Sequence, residues 1–398
     1  MTVLVADSFS ADAQARLVDA GLTVIDRPGL SGDGLLDALV EHDPAVLVVR
    51  SSAVTAEMLD AARGLELIVR AGAGVDTIDV AAASERGIFV ANCPGKNASA
   101  VAELAFGLLL AVDRRIPDNV IAARAGRWDK KAFASARGLR GQTLGVLGLG
   151  AIGREVAGRA RAFGMPVVAW SRSLTPQAAA DLGVAYAETP LDLARRADAV
   201  TVHVASTPET EHLVDADFVA AMRDGATLVN TSRAEVVDED AVAQAVAAGR
   251  LRYATDVPAG EPQAKTGDFA HPLAETAYIT HHVGASTDQA TEAIGQEAAR
   301  VILTYAETGR VENNVNLAAQ TPATHLLTVR HLDRVGVLAG VLGEIREAGW
   351  NVQEMENLVF EGAEAACARL RFDGTPDDAT LARIRAVDHV LNATVIAL

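Results

Sequence analysis

Cysteine is almost missing from this chain: Cys93 and Cys367 are the only two among 398 residues. Two thiols cannot build a disulfide framework, and their separation matches no metal-ligand spacing, so no metal is expected. Long hydrophobic runs are missing too. No uninterrupted apolar stretch exceeds about ten residues, against the ~20 that a membrane helix needs. Positive charge is in deficit. Lys plus Arg number 35 and Asp plus Glu 52, a net charge of -17; such a chain repels a phosphate backbone, so nucleic acid is not an expected partner. The opening MTVLVADSFS lacks a basic region followed by a long apolar one, which leads us to expect no secretory signal and a cytoplasmic location. Internal repeats and low-complexity tracts are also lacking.

What is present is alternation. Half of the residues are apolar and 22% are charged, an ordinary globular balance. At ~150 residues per domain the length allows two or three domains. The runs VLVA (3–6), VLVV (46–49), LIVR (67–70) and IFVAN (88–92) read as buried parallel strands with helical patterns between them. A helical pattern from about Ala98 to Ala125, broken near Pro117, carries the stripe Val101, Leu104, Leu108 and Val112, wide enough to pack between lobes or subunits. A second series starts at Thr143 with six strands, TLGVLG, VVAW, AVTVHV, TLVNTS, RYATDV and AYITHH, which suffices for a dinucleotide-binding sheet. A helix over about Thr287–Thr308 closes it at Gly309. Residues 311–325 have no period and contain Pro322, and read as a linker. The remainder reads strand, helix, strand, strand, helix, strand, a ferredoxin-like βαββαβ module. The expected fold is therefore α/β: two doubly wound, Rossmann-like parallel-sheet lobes and a small C-terminal module.

Gly148-Leu149-Gly150-Ala151-Ile152-Gly153 lies between an apolar strand and an amphipathic helix. The glycines permit a tight turn, close approach of a pyrophosphate, and close helix–strand packing; the helix start offers free N–H groups to phosphate. The acidic residue expected ~20 residues later is replaced by Ser171-Arg172. That leaves NAD and NADP both open, because an arginine can pair with a 2′-phosphate. Three further segments end strands of the second series: Asn230-Thr231-Ser232-Arg233, Asp256 to Pro262 with Glu261, and His281-His282-Val283-Gly284. Oxidising a hydroxy acid needs a proton acceptor, for which an imidazole backed by a carboxylate is suited, and a cation for the substrate carboxylate, for which a guanidinium is suited.

In this order and spacing the motifs resemble those of the D-isomer-specific 2-hydroxyacid dehydrogenases: GxGxxG, then N-T/S-x-R-G, then D-V-x-x-x-E-P, then H-x-G. The resemblance implies His282 as proton acceptor and donor, Glu261 as its partner, Arg233 as binder of the substrate carboxylate, and Asp256 at the nicotinamide carboxamide. Ala234 departs from the usual glycine, and His281 from the usual proline; His282 is chosen for its offset to Gly284, and His281 is expected to be structural. Within the family the segments VVRSSAVTAEML, VRAGAGVDTIDV, ANCPGKNASAVAEL, WDKKAF and HHVGASTDQA look like those of the branch that oxidises 3-phospho-D-glycerate in serine synthesis. This implies Arg50 and Arg70 at a substrate phosphate, with backbone N–H groups around Ala71 to Gly74, notably Ala73 and Gly74, and Asn97 completing the pocket. Lys130 or Lys131 could add charge, including from a partner subunit.

The resemblance divides the chain into a substrate domain (1–95 and 285–318), a dinucleotide-binding domain (96–284) and an ACT-like domain (319–398). The last would bind an amino-acid effector, serine first, with His331 and Asn351 as contacts and Val335 replacing a customary proline. A homodimer or homotetramer is expected. The competing readings are a hydroxypyruvate or glyoxylate reductase and a non-enzymatic NAD(H)-sensing scaffold.

Overall fold

The computed structural model describes residues 1–262 and 267–398. They form two compact units, Met1–Asn316 and Leu317–Leu398. In the first unit, β1 (Thr2–Val5), β2 (Thr23–Asp26), β3 (Val46–Val49), β4 (Leu67–Arg70) and β5 (Phe89–Ala91) pair in parallel in the order β2-β1-β3-β4-β5. The inner strands are apolar on both faces because helices cover both. Val3, Leu4, Val46, Leu47, Leu67 and Ile68 are wholly buried, each contributing about 1.5–3 kcal/mol of transfer free energy. Helix Asp288–Thr308 returns to this sheet and places Ile294, Ala298 and Ile302 in the same core as Val3, Val5 and Val48. A side chain at Gly295 would sit 2.6 Å from the Ser10 Cβ, so glycine allows this contact.

The second sheet holds β6 (Leu144–Leu147), β7 (Val167–Trp170), β8 (Ala185–Tyr186), β9 (Ala199–Val202), β10 (Ala226–Asn230), β11 (Leu251–Thr255) and β12 (Tyr278–Ile279). All its pairs are parallel, in the order β12-β11-β10-β9-β6-β7-β8. The order reverses between β9 and β6, and ligands bind at such a point outside the carboxyl ends of the strands. Helix Ala98–Arg114 ends at Arg115, which has φ 49°, and Ile116–Arg124 continues it with Pro117 in its first turn. Its Leu108 and Val112 are buried against Leu144, Val146 and Val156 of this same sheet layer. The stripe expected to await a lobe or a subunit is thus covered largely within the chain. The linker reading also needs correction: Asn313 to Asn316 pair with the edge of β5 through Asn92 N–H to Asn313 O (3.3 Å), Val315 N–H to Val90 O (2.8 Å) and Val90 N–H to the Asn316 Oδ1 (2.9 Å).

The second unit contains β13 (His325–Leu332), helix Val337–Glu347, β14 (Asn351–Val359), β15 (Ala365–Asp373), helix Asp378–Ala386 and β16 (Val390–Ala397). Its antiparallel order is β14-β15-β13-β16, with the stacked pair Trp350 and Phe372 (4.5 Å) in the core. His331 is 1% exposed; its Nδ1 donates to Leu332 O (2.8 Å) and its Nε2 meets the Asn357 side-chain amide (3.2 Å). Asn351 sits opposite Asp373 and His331 opposite Ala366. Seven residues of β15 separate the two levels, about 23 Å at ~3.3 Å per residue. The two expected effector contacts therefore do not form one site within a single chain. Among the described residues, no helix is long and apolar enough to cross a membrane, and no His, Cys, Asp and Glu group could hold a metal ion.

Candidate active site

The glycine loop follows β6 and opens helix Ala151–Ala162. Gly148 has φ 99°, and a Cβ there would lie 2.6 Å from His203 O; a Cβ on Gly153 would lie 2.1 Å from Gly148 O. Both positions exclude any side chain. Around Gly150 a Cβ would meet nothing within 4 Å, and no side chain caps the helix start at Ala151 and Ile152. The loop is closed on its protein side and open where a pyrophosphate approaches. Gly148 N–H donates to Trp170 O (2.8 Å), which ties the loop to the end of β7, where Ser171 is half-buried and Arg172 exposed. Two groups bordering this crevice have no hydrogen-bond partner among the described residues, Thr231 Oγ1 and His203 Nδ1; Asn97 Oδ1, at the start of helix Ala98–Arg114, is likewise unpartnered. Burial pushes the His203 imidazole down to about 3, so it stays neutral. These features fit a bound dinucleotide.

His282 follows β12 with φ 51°, a left-handed conformation that costs a non-glycine residue free energy unless its surroundings enforce it. Asp256, 2% exposed, enforces it. Its carbonyl accepts from His282 N–H (2.8 Å), its Oδ1 from Thr280 Oγ1 (2.6 Å) and Val283 N–H (3.0 Å), and its Oδ2 from Gly284 N–H (2.7 Å). The carboxylate expected at the nicotinamide thus also builds the turn beneath the histidine. His282 Nδ1 lies 2.8 Å from Glu261 Oε2, with both side chains about two-fifths exposed. His281 is exposed and stands outside this network.

Arg233 is delivered by a turn that Asn230 shapes: Asn230 Oδ1 accepts from Ser232 N–H (3.0 Å) and its Nδ2 donates to Arg233 O (2.9 Å). Ala234 begins a 3-10 turn without positive φ, so alanine replaces glycine there at no conformational cost. The Arg233 guanidinium crosses to the first sheet's side, donating from Nε (3.1 Å) and Nη2 (2.8 Å) to Asp76 Oδ2, and from Nη1 to Ser232 O (2.7 Å). A Cβ on Gly74 would be 2.3 Å from Nη2, so glycine makes room for this fork. Asp76, which sequence reasoning missed, has its carboxyl lowered; burial opposes the shift and Arg233 outweighs it.

Arg50 is set by Asp7, whose Oδ2 accepts the N–H groups of Arg50 (2.8 Å), Ser51 (2.9 Å) and Ser52 (2.9 Å). Burial pushes the Asp7 carboxyl up, yet these bonds leave it lowered. The Arg50 guanidinium reaches Ala285 O and Thr291 Oγ1, both at 3.4 Å, just beyond His282. Arg70 Nε is buried without a partner among the described residues. Burial, then Arg233, then Arg50 lower the Arg70 guanidinium, with Asp76 opposing. Three arginines thus share one electrostatic neighbourhood. The expected N–H pocket is smaller than the sequence implies. Ala71 donates to Val49 O and Gly72 to Arg70 O, leaving Ala73 and Gly74. Lys130 and Lys131 are exposed, beyond helix Ile116–Arg124.

Residues 106–284 match the family model "D-isomer specific 2-hydroxyacid dehydrogenase, NAD binding domain". The D-3-phosphoglycerate dehydrogenase of Methanocaldococcus jannaschii is 38% identical over 319 residues, covering 79% of this chain and 59% of that protein. The hydroxypyruvate reductase of Thermotoga maritima is 38% identical over 298 residues, 74% of this chain and 95% of that one. Among solved structures, the TT0316 protein of Thermus thermophilus superposes with a TM-score of 0.70 at 35% identity, covering 79% of this chain and all of the other. The chain spans less than two thirds of the length of the Methanocaldococcus relative.

Proposed function

Because this chain belongs to the D-isomer-specific 2-hydroxyacid dehydrogenases, we propose that it oxidises 3-phospho-D-glycerate to 3-phosphohydroxypyruvate, the entry step of serine synthesis, with NAD as cofactor. The observation that carries the reading is the cluster of Arg50, Arg70 and Arg233 beside the His282–Glu261 pair, with Asp76 as its neighbouring carboxylate. Three guanidiniums, of which only Arg233 is ion-paired among the described residues, suit a substrate bearing a carboxylate and a phosphate.

Glu261 holds His282 Nδ1, which leaves Nε2 to take the C2 hydroxyl proton. Of the five Arg233 N–H groups, two face Asp76 and one Ser232 O. The remaining pair, one on each Nη, binds the substrate carboxylate end-on. Arg50 and Arg70 hold the phosphate, with Ala73, Gly74 and Asn97 around it. Gly148, Gly150, Ala151, Ile152 and Gly153 hold the cofactor pyrophosphate, and Ser171 and Arg172 border its adenosine end, where they tolerate NADP. Bound NAD supplies the hydride acceptor. Substrate-domain residues 1–95 and 285–318 and cofactor-domain residues 96–284 supply the two walls.

The second reading, a hydroxypyruvate reductase, rests on the Thermotoga relative, which is as similar and almost fully covered. The deciding measurement is kcat/KM for phosphohydroxypyruvate against hydroxypyruvate, with NADH and NADPH. We expect the phosphorylated substrate to win with NADH, and Arg50→Ala or Arg70→Ala to cost it about 30–160-fold, the loss of one charge-assisted contact of about 2–3 kcal/mol. Preference for hydroxypyruvate would transfer the chain to the second reading. Loss of turnover in His282→Asn separates either enzyme from an NAD(H)-sensing scaffold.

The ACT-like residues 319–398 are proposed as an effector-binding and oligomerising module, serine being the first ligand to try. Its site needs more than one chain, given the separation of His331 and Asn351. Exposed Ile116, Val120 and Ile121 on one helix, and Met355, Leu358 and Val359 on edge strand β14, are the faces a homodimer or homotetramer would cover. Two free thiols accord with the reducing cytoplasm.

A further inference from the structure

A buried carboxylate stands behind the exposed one that meets the histidine. Glu239 begins helix Glu239–Ala247, and its side chain is 9% exposed. Oε1 accepts from Tyr253 O–H (2.9 Å); Oε2 accepts from His271 Nε2 (3.0 Å) and from Ala259 N–H (3.0 Å). His271 Nδ1 accepts from Leu273 N–H (3.2 Å), so the ring is neutral and carries its proton on Nε2, aimed at Glu239. Tyr253 is 2% exposed and the His271 side chain 6%. Three donors from three separate segments therefore converge on one anion. A buried carboxylate needs such partners to remain charged.

The third donor is the informative one. Ala259 lies in the turn between Asp256 and Glu261, two residues before the carboxylate that touches His282. Gly260 has φ 72°, which gives the turn a sharp reversal and leaves its direction to whatever anchors it. Glu239 supplies that anchor from the layer beneath, and His271 braces the same oxygen from the other side. We propose that Glu239 is a positioning residue: by holding Ala259 N–H it fixes the loop that brings Glu261 onto His282. This rests on the dehydrogenase reading of the site.

The test is a double-mutant cycle with steady-state kinetics on the full chain. Displacing a catalytic pair by ~1 Å can cost up to about 100-fold, so Glu239→Ala should lower kcat about 10–100-fold. The KM for the keto acid and the NADH Kd should stay within about twofold, because the arginines and the glycine loop are untouched. In a Glu261→Gln background the same change should cost less than about twofold, since its route of action is already cut. An equal loss in both backgrounds overturns the proposal. Glu239→Gln, which can still accept from Ala259 while donating to the Tyr253 oxygen, should recover most of the kcat; a glutamine variant as slow as the alanine variant also overturns it. Should Glu239→Ala not fold, Ala259→Pro replaces the N–H by a ring carbon facing Glu239, at a turn position that accepts proline, and should reproduce the kcat loss; wild-type kcat there overturns the proposal. Wild type and His282→Asn are run alongside. A wild type that reduces neither keto acid defeats the reading of the site, whereas His282-dependent turnover with no coupling between Glu239 and Glu261 defeats this inference alone.

Discussion

Asp7 shows how a residue far from any motif shapes the site. Its single Oδ2 gathers three consecutive N–H groups, and the first belongs to Arg50. Replacing it by alanine strands those donors in a part of the fold where Asp7 itself is 4% exposed. Net of exchange with water, a hydrogen bond to a charged group contributes about 1.5–3 kcal/mol, and relaxation recovers part of the sum of three. The expected result of Asp7→Ala is a loss of about 3 kcal/mol, read as a lower urea midpoint with unchanged slope. It should bring a larger KM for phosphohydroxypyruvate than for hydroxypyruvate, because Arg50 loses its seat. An unchanged midpoint would show that the three N–H groups find other acceptors. The same residue marks what sequence can and cannot reveal. His282, Glu261, Arg233 and the glycines stand out because each sits in a short linear motif whose chemistry demands those residue types. Asp76 and Glu239 do not. Asp76 meets Arg233 across 157 positions, and Glu239 meets His271 across 32; an acidic residue without local context reads as solvated surface.

Helix Asp288–Thr308 is the element that joins the parts of the first unit. Its Glu297 accepts from Arg300 (2.6 and 3.1 Å) and Asn313 Nδ2 (2.7 Å), and lies 3.3 Å from Lys96 Nζ. The hydrogen bonds from Arg300 dominate in lowering the Glu297 carboxyl from 4.5 to about 2, against the opposing effect of burial. A depressed folded value means that the unfolded chain binds more protons between those two limits. The stabilisation is therefore complete above pH 4.5 and fades as pH falls toward 2. Glu297→Gln should be less stable at neutral pH, and its stability should fall less steeply than wild type across that acid window. Parallel acid titrations of both proteins would refute this. Elements were legible in proportion to their burial. β3 and β4 announce themselves as continuous apolar runs, whereas β2, TVID with both end residues exposed, carries no such pattern, and β8 is only two residues long. Residues 313–316 read as linker because their order comes from β5, more than 220 positions away, and no local period records a partner that distant.

The whole molecule sets a charge problem that its site must solve. The chain carries -17 overall, and the proposed substrate is more anionic than hydroxypyruvate by its phosphate. Two fields of opposite sign act on it, and their ranges differ. The repulsion comes from acidic groups spread over the surface, so it reaches the approaching substrate only when the screening length is long, about 30 Å at 0.01 M salt against about 10 Å at 0.1 M. On the proposed reading the attraction comes from Arg50, Arg70 and Arg233 at contact distance, and it survives until salt approaches the molar range. For phosphohydroxypyruvate, kcat/KM should therefore rise or hold level up to about 0.1 M salt, then fall severalfold by about 1 M. Hydroxypyruvate, lacking the phosphate, should show a flatter curve over the same range. Arg70→Ala should flatten the high-salt fall for the phosphorylated substrate while leaving the low-salt rise intact, because only the local field has changed. Identical salt curves for the two substrates would mean that the arginine cluster does not read the phosphate, and the assignment of Arg50 and Arg70 would fall with it.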